Sequence, residues 1–271
     1  MTQCVLTTAA DLPRNPFSYM KLPQLIAHRG YASRYPENTV LAVETALRSS
    51  ARYIEIDIQL SSDRVPMVFH DADLSRITGQ PGRIMDLTAK ELSRFYADET
   101  QRLDGRFSNI PIPTLEAMAS HLTRWSNVVV FVEIKTESTD FFGIPDVINA
   151  VNRALEPIAE RCVIISYSVP VLQFARTSGA AEIGLVLTTY DEESRLVTEG
   201  LKPGYVICNY QKLPPPPAVL WPGAWKWALY EVTDPELAVA LCERGAEFVE
   251  TMAIGDMLKR PPFKTRGKGV R

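Results

Sequence analysis

Short apolar runs rich in β-branched residues recur at Leu25–Ala27, Tyr53–Ile58, Val65–Phe69, Val128–Ile134, Cys162–Tyr167, Glu182–Leu187, Tyr205–Asn209, Lys226–Tyr230 and Phe248–Glu250. Between them lie segments of helical length with an apolar stripe, among them Thr39–Ser49, Leu115–Thr123, Pro145–Ile158, Val169–Ser178 and Pro235–Arg244. Strand and helix signals in alternation predict a mainly parallel sheet with right-handed crossovers. One run does not fit that rhythm. Ile58 and Val65 are too close for a parallel crossover, which takes about a dozen residues or more. Val65–Phe69 is therefore the return arm of a hairpin turned by Ser61-Ser62-Asp63-Arg64. Eight parallel strands remain, which predicts an α/β chain folded as a single (β/α)8 TIM barrel with a β-hairpin after strand two.

The same pattern sets the domain limits. Residues 1–258 read as one catalytic barrel domain, with a small insertion at about 71–114 before strand three. Inside the insertion Leu87–Leu92 reads as a capped helical turn, and the whole segment reads as a lid over the barrel mouth. Leu213–Pro222, with four consecutive prolines, reads as an irregular loop. Residues 259–271 carry six Lys or Arg residues and read as a basic, poorly ordered tail.

Composition narrows the class. A 46% hydrophobic fraction over 271 residues supports a sizeable core, and a net charge of −3 argues against a nucleic-acid partner. No stretch approaches the roughly 18 apolar residues of a membrane span, and the first residues lack the pattern of a secretory leader. Cys4, Cys162, Cys208 and Cys242 form no CxxC pair, so buried thiols in a reducing compartment are expected. These readings together point to a cytoplasmic protein.

The chemistry gathers at strand ends. His28-Arg29-Gly30, Glu55-Ile56-Asp57 and Glu133-Ile134-Lys135 fall near the C-terminal ends of strands one to three, where barrels of this type carry function. Glu55 and Asp57 are two apart on a strand and so share a face. Carboxylates buried together need a cation or a basic partner, and oxygen donors without a neighbouring cysteine favour one Mg²⁺ or Ca²⁺ over structural zinc. Salt-bridged structural acids are the alternative. If Leu60 faces Val65 across the turn, the register sets Glu55 opposite His70, which brings a second histidine to the carboxylates. His121 has no such company and reads as a surface or packing histidine. Glu37, in Pro36-Glu37-Asn38-Thr39, either joins the site or caps the following helix, and capping is the expected role of Asn38 and Thr39.

In order, His-Arg-Gly, Pro-Glu-Asn-Thr, Glu-x-Asp, His-Asp, Pro-Thr-Leu and Glu-x-Lys resemble the glycerophosphodiester phosphodiesterases. The resemblance implies a metal-dependent hydrolase of lipid and glycerol metabolism that cuts glycerophosphodiesters to glycerol 3-phosphate and an alcohol. It places His28 and His70 at the acid/base positions, Glu55, Asp57 and Glu133 at the metal, and Arg29 and Lys135 on the phosphate. Glu37 and Trp227 are left as candidates for the substrate pocket. Late in the chain the pattern departs: Trp227-Ala228-Leu229-Tyr230 stands for the family's Trp-Thr-Val-Asn, and Thr251-Met252 for its Thr-Asp. Those departures keep open two other functions, a phospholipase-D-like lyase on lysolipids or sphingolipids and a non-catalytic phosphate-ligand binder.

Overall fold

The computed structural model describes residues 21–264, so Cys4 and residues 265–271 of the expected tail lie outside the described residues. The apolar runs form β1 (Gln24–Ala27), β2 (Tyr53–Leu60), β3 (Pro66–Val68), β4 (Val129–Ile134), β5 (Cys162–Ser166), β6 (Glu182–Val186), β7 (Tyr205–Asn209), β8 (Lys226–Tyr230) and β9 (Phe248–Thr251). β1, β2 and β4 to β9 pair in parallel, and β9 closes onto β1 with Gln24 opposite Phe248 and Ala27 opposite Thr251. The result is the expected eight-stranded TIM barrel.

β3 is the hairpin arm and runs antiparallel to β2, outside the ring. Its register differs by one residue from that expected, with Ile58 opposite Val68 and Leu60 opposite Pro66. The cause is local. Ser61 stays in the ladder, its N–H donating to the Val65 carbonyl at 3.0 Å, and Arg64 closes the turn at φ 60°. A three-residue loop ending in a left-handed residue is a regular hairpin connection, so the four-residue turn gives way to three. Carried up to the rim, this register sets Asp71 rather than His70 level with Glu55. Because β1 is short, it pairs only with Tyr53 and Ile54 of β2, and β3 takes the same edge further up.

Strand alternation sorts the core into two layers. Ile54, Ile56 and Ile58 of β2 and Val130 and Val132 of β4 face outward and pack beneath the helices. Those helices include Val40–Arg48, Leu115–Leu122, Ile144–Leu155, Val169–Thr177, Glu192–Leu201 and Pro235–Glu243. Between β7 and β8 no α-helix forms, as the proline run dictates. There Trp221 stacks on Tyr190 with ring centroids 4.1 Å apart and covers Trp227. Inside the barrel Ile26, Phe131, Ile165, Tyr205, Ile207 and Phe248 form an apolar floor, with Phe131 and Tyr205 edge to face at 5.0 Å.

The insertion has an apolar cluster of its own, with Met67, Phe69, Leu74, Ile77, Ile84 and Leu92 joining it to the hairpin. Its helical turn Ala89–Leu92 is capped from both sides, Thr88 and Glu91 bonding each other's backbone. The chain stays packed past residue 258, where the tail was expected to begin. A helix spans Ile254–Lys259 and Phe263 is buried, because apolar burial outweighs the charge flanking it. Cys162, Cys208 and Cys242 are buried. Among the described residues no helix is long and apolar enough to cross a membrane.

Candidate active site

Above the apolar floor the inward positions turn from hydrophobic to charged. On β2 the alternation that aims Tyr53 inward also aims Glu55 and Asp57 inward, and Asp57 lies directly beside Glu133 of β4. Glu55 and Asp57 are buried, and Glu55, Asp57 and Glu133 each offer an oxygen within 4.8 Å of the others. Lys135 Nζ donates to Glu133 Oε1 at 2.7 Å and stands 2.6 Å from Asp57 Oδ1, an ion pair whose angle is not that of a hydrogen bond. Asn38 grips Asp57 at both ends: its Nδ2 donates to Asp57 Oδ2 at 2.8 Å, and its Oδ1 accepts the Asp57 N–H.

The turn after β1 supplies the opposing charges. Arg29 sits at φ 54°, so its backbone N–H donates to Glu55 Oε2 at 3.0 Å while its guanidinium lies 3.2 Å from Asp57. Gly30 follows at φ 79°, where a side chain would meet the backbone of Ala42 and Val43 at 2.6 and 2.7 Å. Only glycine lets the helix Val40–Arg48 approach that closely. Glu37 is buried between Arg29, at 2.8 Å, and Arg76 of the insertion, at 2.7 Å. Of the two roles expected of it, Glu37 does not cap the helix; it reaches the site through Arg29. The cap is Thr39, whose hydroxyl accepts the Ala42 N–H, whereas Asn38 turns to Asp57 instead.

The two histidines approach this cluster from different sides. His28 Nε2 lies 3.8 Å from Glu55 Oε2, and its Nδ1 is buried without a partner among the described residues. His70 Nδ1 is 2.5 Å from Asp71 Oδ1, and Asp71 is held in turn by Arg76. His70 also bears electrostatically on Asp57 and Glu133. His121 lies on an outer helix 3.7 Å from Glu44, with its side chain mostly covered.

Electrostatics shows what the cluster lacks. Burial opposes ionisation of Asp57, but Lys135 and Arg29 outweigh it and hold the carboxyl far below its ordinary value. Glu55 is pushed well up by burial and by Asp57, Glu250 and Glu133. Glu133 is raised by burial and Asp57, and Glu250 is pushed up to about 8 by burial and by Glu133. Burial and the Arg29 charge push His28 down to about 3. Among the described residues four inward carboxylates thus share two direct cations, Arg29 and Lys135, and Glu55 Oε1 is buried with no donor. The excess of about two negative charges on hard oxygen donors fits one divalent cation.

Several expectations need correction or addition. Trp227 does not face the pocket: it packs outward with Tyr190 and Trp221, its Nε1 donating to the Trp221 carbonyl at 2.9 Å. Alternation along Lys226–Tyr230 puts Ala228 and Tyr230 inside instead. The Tyr230 hydroxyl stands 3.1 Å from that of Tyr167. Glu250 of β9 joins the mouth unannounced, as one acid in an apolar strand with no motif around it. Arg76 was equally silent, one of five arginines inside the insertion with no motif around it.

A model of the glycerophosphoryl diester phosphodiesterase family matches residues 28–198. A glycerophosphodiester phosphodiesterase of Bacillus altitudinis is 35% identical over 125 residues, which is 46% of this chain and 50% of that protein. Human glycerophosphodiester phosphodiesterase 1 is 37% identical over 147 residues, 49% of this chain and 44% of that one. The chain spans about half the length of the curated relatives it matches. Among solved structures, an Oleispira antarctica phosphodiesterase in complex with the product sn-glycerol-3-phosphate superposes with a TM-score of 0.74 at 22% identity, covering 88% of this chain and 96% of that one. A glycerophosphodiester phosphodiesterase from Agrobacterium tumefaciens gives 0.69 at 21%, covering 88% and 100%. At such identities the likeness is one of fold.

Proposed function

The chain belongs to the glycerophosphoryl diester phosphodiesterase family, and from that premise we propose that it hydrolyses glycerophosphodiesters to glycerol 3-phosphate and an alcohol, with one divalent cation, Mg²⁺ or Ca²⁺. The observation that carries this reading is the trio Glu55, Asp57 and Glu133, the first two buried, whose oxygens lie within 4.8 Å of one another and whose mutual repulsion helps push Glu55 well up. These three residues would hold the cation. Bound there, it would neutralise the phosphate and polarise its oxygens.

The chain's own residues supply the remainder. Arg29 and Lys135 both pair with Asp57, and they are the cations that would bind non-bridging phosphate oxygens. Asp71 accepts from His70 Nδ1, which fixes that proton and leaves Nε2 for exchange with the substrate. His28, neutral when buried, accepts or returns a proton on the Glu55 side of the cluster. One histidine serves water and the other the leaving oxygen, each worth about 10²–10⁴-fold. Arg76 holds Asp71 and Glu37 together, tying the placement of His70 to that of Arg29.

The test is product analysis on glycerophosphocholine, glycerophosphoethanolamine and lysophosphatidylcholine with Mg²⁺ or Ca²⁺ in ¹⁸O-labelled water. The expected result is glycerol 3-phosphate carrying the label, formed only when a divalent cation is present. A cyclic phosphate without label would identify a lyase, and binding without turnover of any diester would identify a phosphate-ligand binder.

A further inference from the structure

Glu99 belongs to the insertion and stands outside both groups of side chains spaced to hold a metal. It is nevertheless 2% exposed, and its backbone sits at φ 42°, a left-handed conformation that a non-glycine residue keeps only where its surroundings hold it. Its N–H donates to the Ile77 carbonyl at 3.0 Å, which ties it to the insertion's apolar cluster. Its carboxylate serves another segment. Oε2 accepts the backbone N–H of Glu37 at 2.7 Å. Arg102 grips both oxygens through Nε and Nη2, each at 2.6 Å, and donates as well to the carbonyls of Ala32 and Tyr35. A buried carboxylate needs such a partner, and the guanidinium fork fixes its orientation. One acid and one arginine of the insertion thus hold three backbone groups of the turn at 32–37.

That turn carries Glu37, whose carboxylate has two partners. Arg29 donates to it at 2.8 Å and Arg76 at 2.7 Å, and Arg76 in turn donates to Asp71, the residue that holds His70 Nδ1. Arg29 and His70 come from different segments, yet both are keyed to the position of Glu37. The main chain of Glu37 is keyed to Glu99.

We propose that Glu99, clamped by Arg102, is a positioning residue that sets Arg29 and His70 against each other through Glu37. The insertion is then a working part of the site. This deepens the hydrolase reading and rests on it.

The test is a double-mutant cycle, because groups acting through one network couple whereas independent losses add. Wild type, Glu37→Ala, Glu99→Ala and the double variant are assayed on glycerophosphocholine at saturating Mg²⁺, well below each Tm. Inorganic phosphate and Mg²⁺ binding are measured by calorimetry on the same four proteins. Glu99→Ala alone should lower kcat about 10- to 100-fold and weaken phosphate about tenfold, with Mg²⁺ affinity within about threefold of wild type. Added to Glu37→Ala, it should cost less than about threefold more in either quantity. A staple that only folds the insertion would cost the same in both backgrounds, and that result, or no loss in either, would overturn the proposal. Glu99→Gln repeats the cycle if the alanine variant does not fold.

Asp98 supplies the control. Its carboxylate accepts the N–H groups of Asn109 and Ile110, both inside the insertion. Asp98→Asn should lower the Tm but leave kcat within about twofold. A loss of rate there equal to that of Glu99→Ala would also overturn the proposal. A wild type that turns over no diester would sink the hydrolase reading, and the phosphate cycle would then decide this inference alone. A wild type that also binds no phosphate would overturn both.

Discussion

The two halves of the barrel rim are built on the same strand alternation but furnished differently. β1, β2 and β4, with the turn at 28–38, bring His28, Arg29, Glu55, Asp57, Glu133 and Lys135 together. β5 to β8 bring Tyr167, Asn209 and Tyr230 to the opposite side, and Glu250 stands near the seam where the ring closes. On the charged side each group is fixed by another, so one change leaves a buried partner unpaired. On the aromatic side shape and hydroxyls suffice, and residues can be exchanged without stranding a charge. The family match, residues 28–198, covers all of the charged side and stops before β7.

The sharpest way to break this division is Glu55→Ala combined with Asp57→Ala. It should abolish divalent-cation binding in a calorimetric titration and lower turnover by about 10³-fold or more. Cation binding that survives the double change would move the metal site elsewhere. Next, His28→Ala and His70→Ala should each lower kcat by about 10²–10⁴-fold while cation binding persists, and His121→Ala should leave the rate unchanged. Near-normal rates in a folded variant of either would remove the two-histidine mechanism.

The carboxylates also predict a pH effect on stability. Glu55 and Glu250 lie above the ordinary 4.5, Glu250 at about 8, so between those values the cation-free folded state holds protons that the unfolded chain has released. Stability therefore falls as pH rises toward 8, most clearly above 6.5, because below that value the depressed His28 contributes the opposite slope. Asp57 is shifted downward, and the stability it contributes is lost only below 3.8, outside that window. Added Mg²⁺ or Ca²⁺ should raise the Tm by several degrees, and more at the alkaline end than at the acid end. A cation effect that shrinks with rising pH would contradict the charge balance. The smallest effect belongs to the aromatic side: Tyr230→Phe should change kcat/KM for a glycerophosphodiester by less than about tenfold, with cation affinity untouched. A loss of cation binding there would erase the distinction between the halves.

The barrel and its hairpin were legible because they follow from spacing: the gap from Ile58 to Val65 admits only a tight turn. The register was legible to within one residue. What decided it is a backbone bond at Ser61 and a left-handed Arg64, which side-chain patterning does not reveal. Residues that sit in pairs of like chemistry, such as Glu55 with Asp57, announce themselves. Arg76 and Glu250 do not, since each gains its meaning only from segments brought up by the fold. Asn38 resembled a helix cap because caps and ligand-holding amides use the same side chain. Trp227 was misplaced for a simpler reason: its neighbours Ala228 and Tyr230 occupy the inward phase of the strand, and the phase was readable.

The hairpin also bears on the order in which the molecule assembles. β2 and β3 meet across a three-residue turn, whereas β1 and β9 join residues from opposite ends of the chain. Loop-closure entropy favours the first contact and delays the second. Glu55, Asp57 and His70 are therefore gathered on a unit that nucleates early, while His28 and Glu250 meet only when the ring is sealed. Pulse-labelled hydrogen exchange during refolding should find amides of β2 protected before those of β9, and simultaneous protection would refute this order. Active-site competence would then report barrel closure itself.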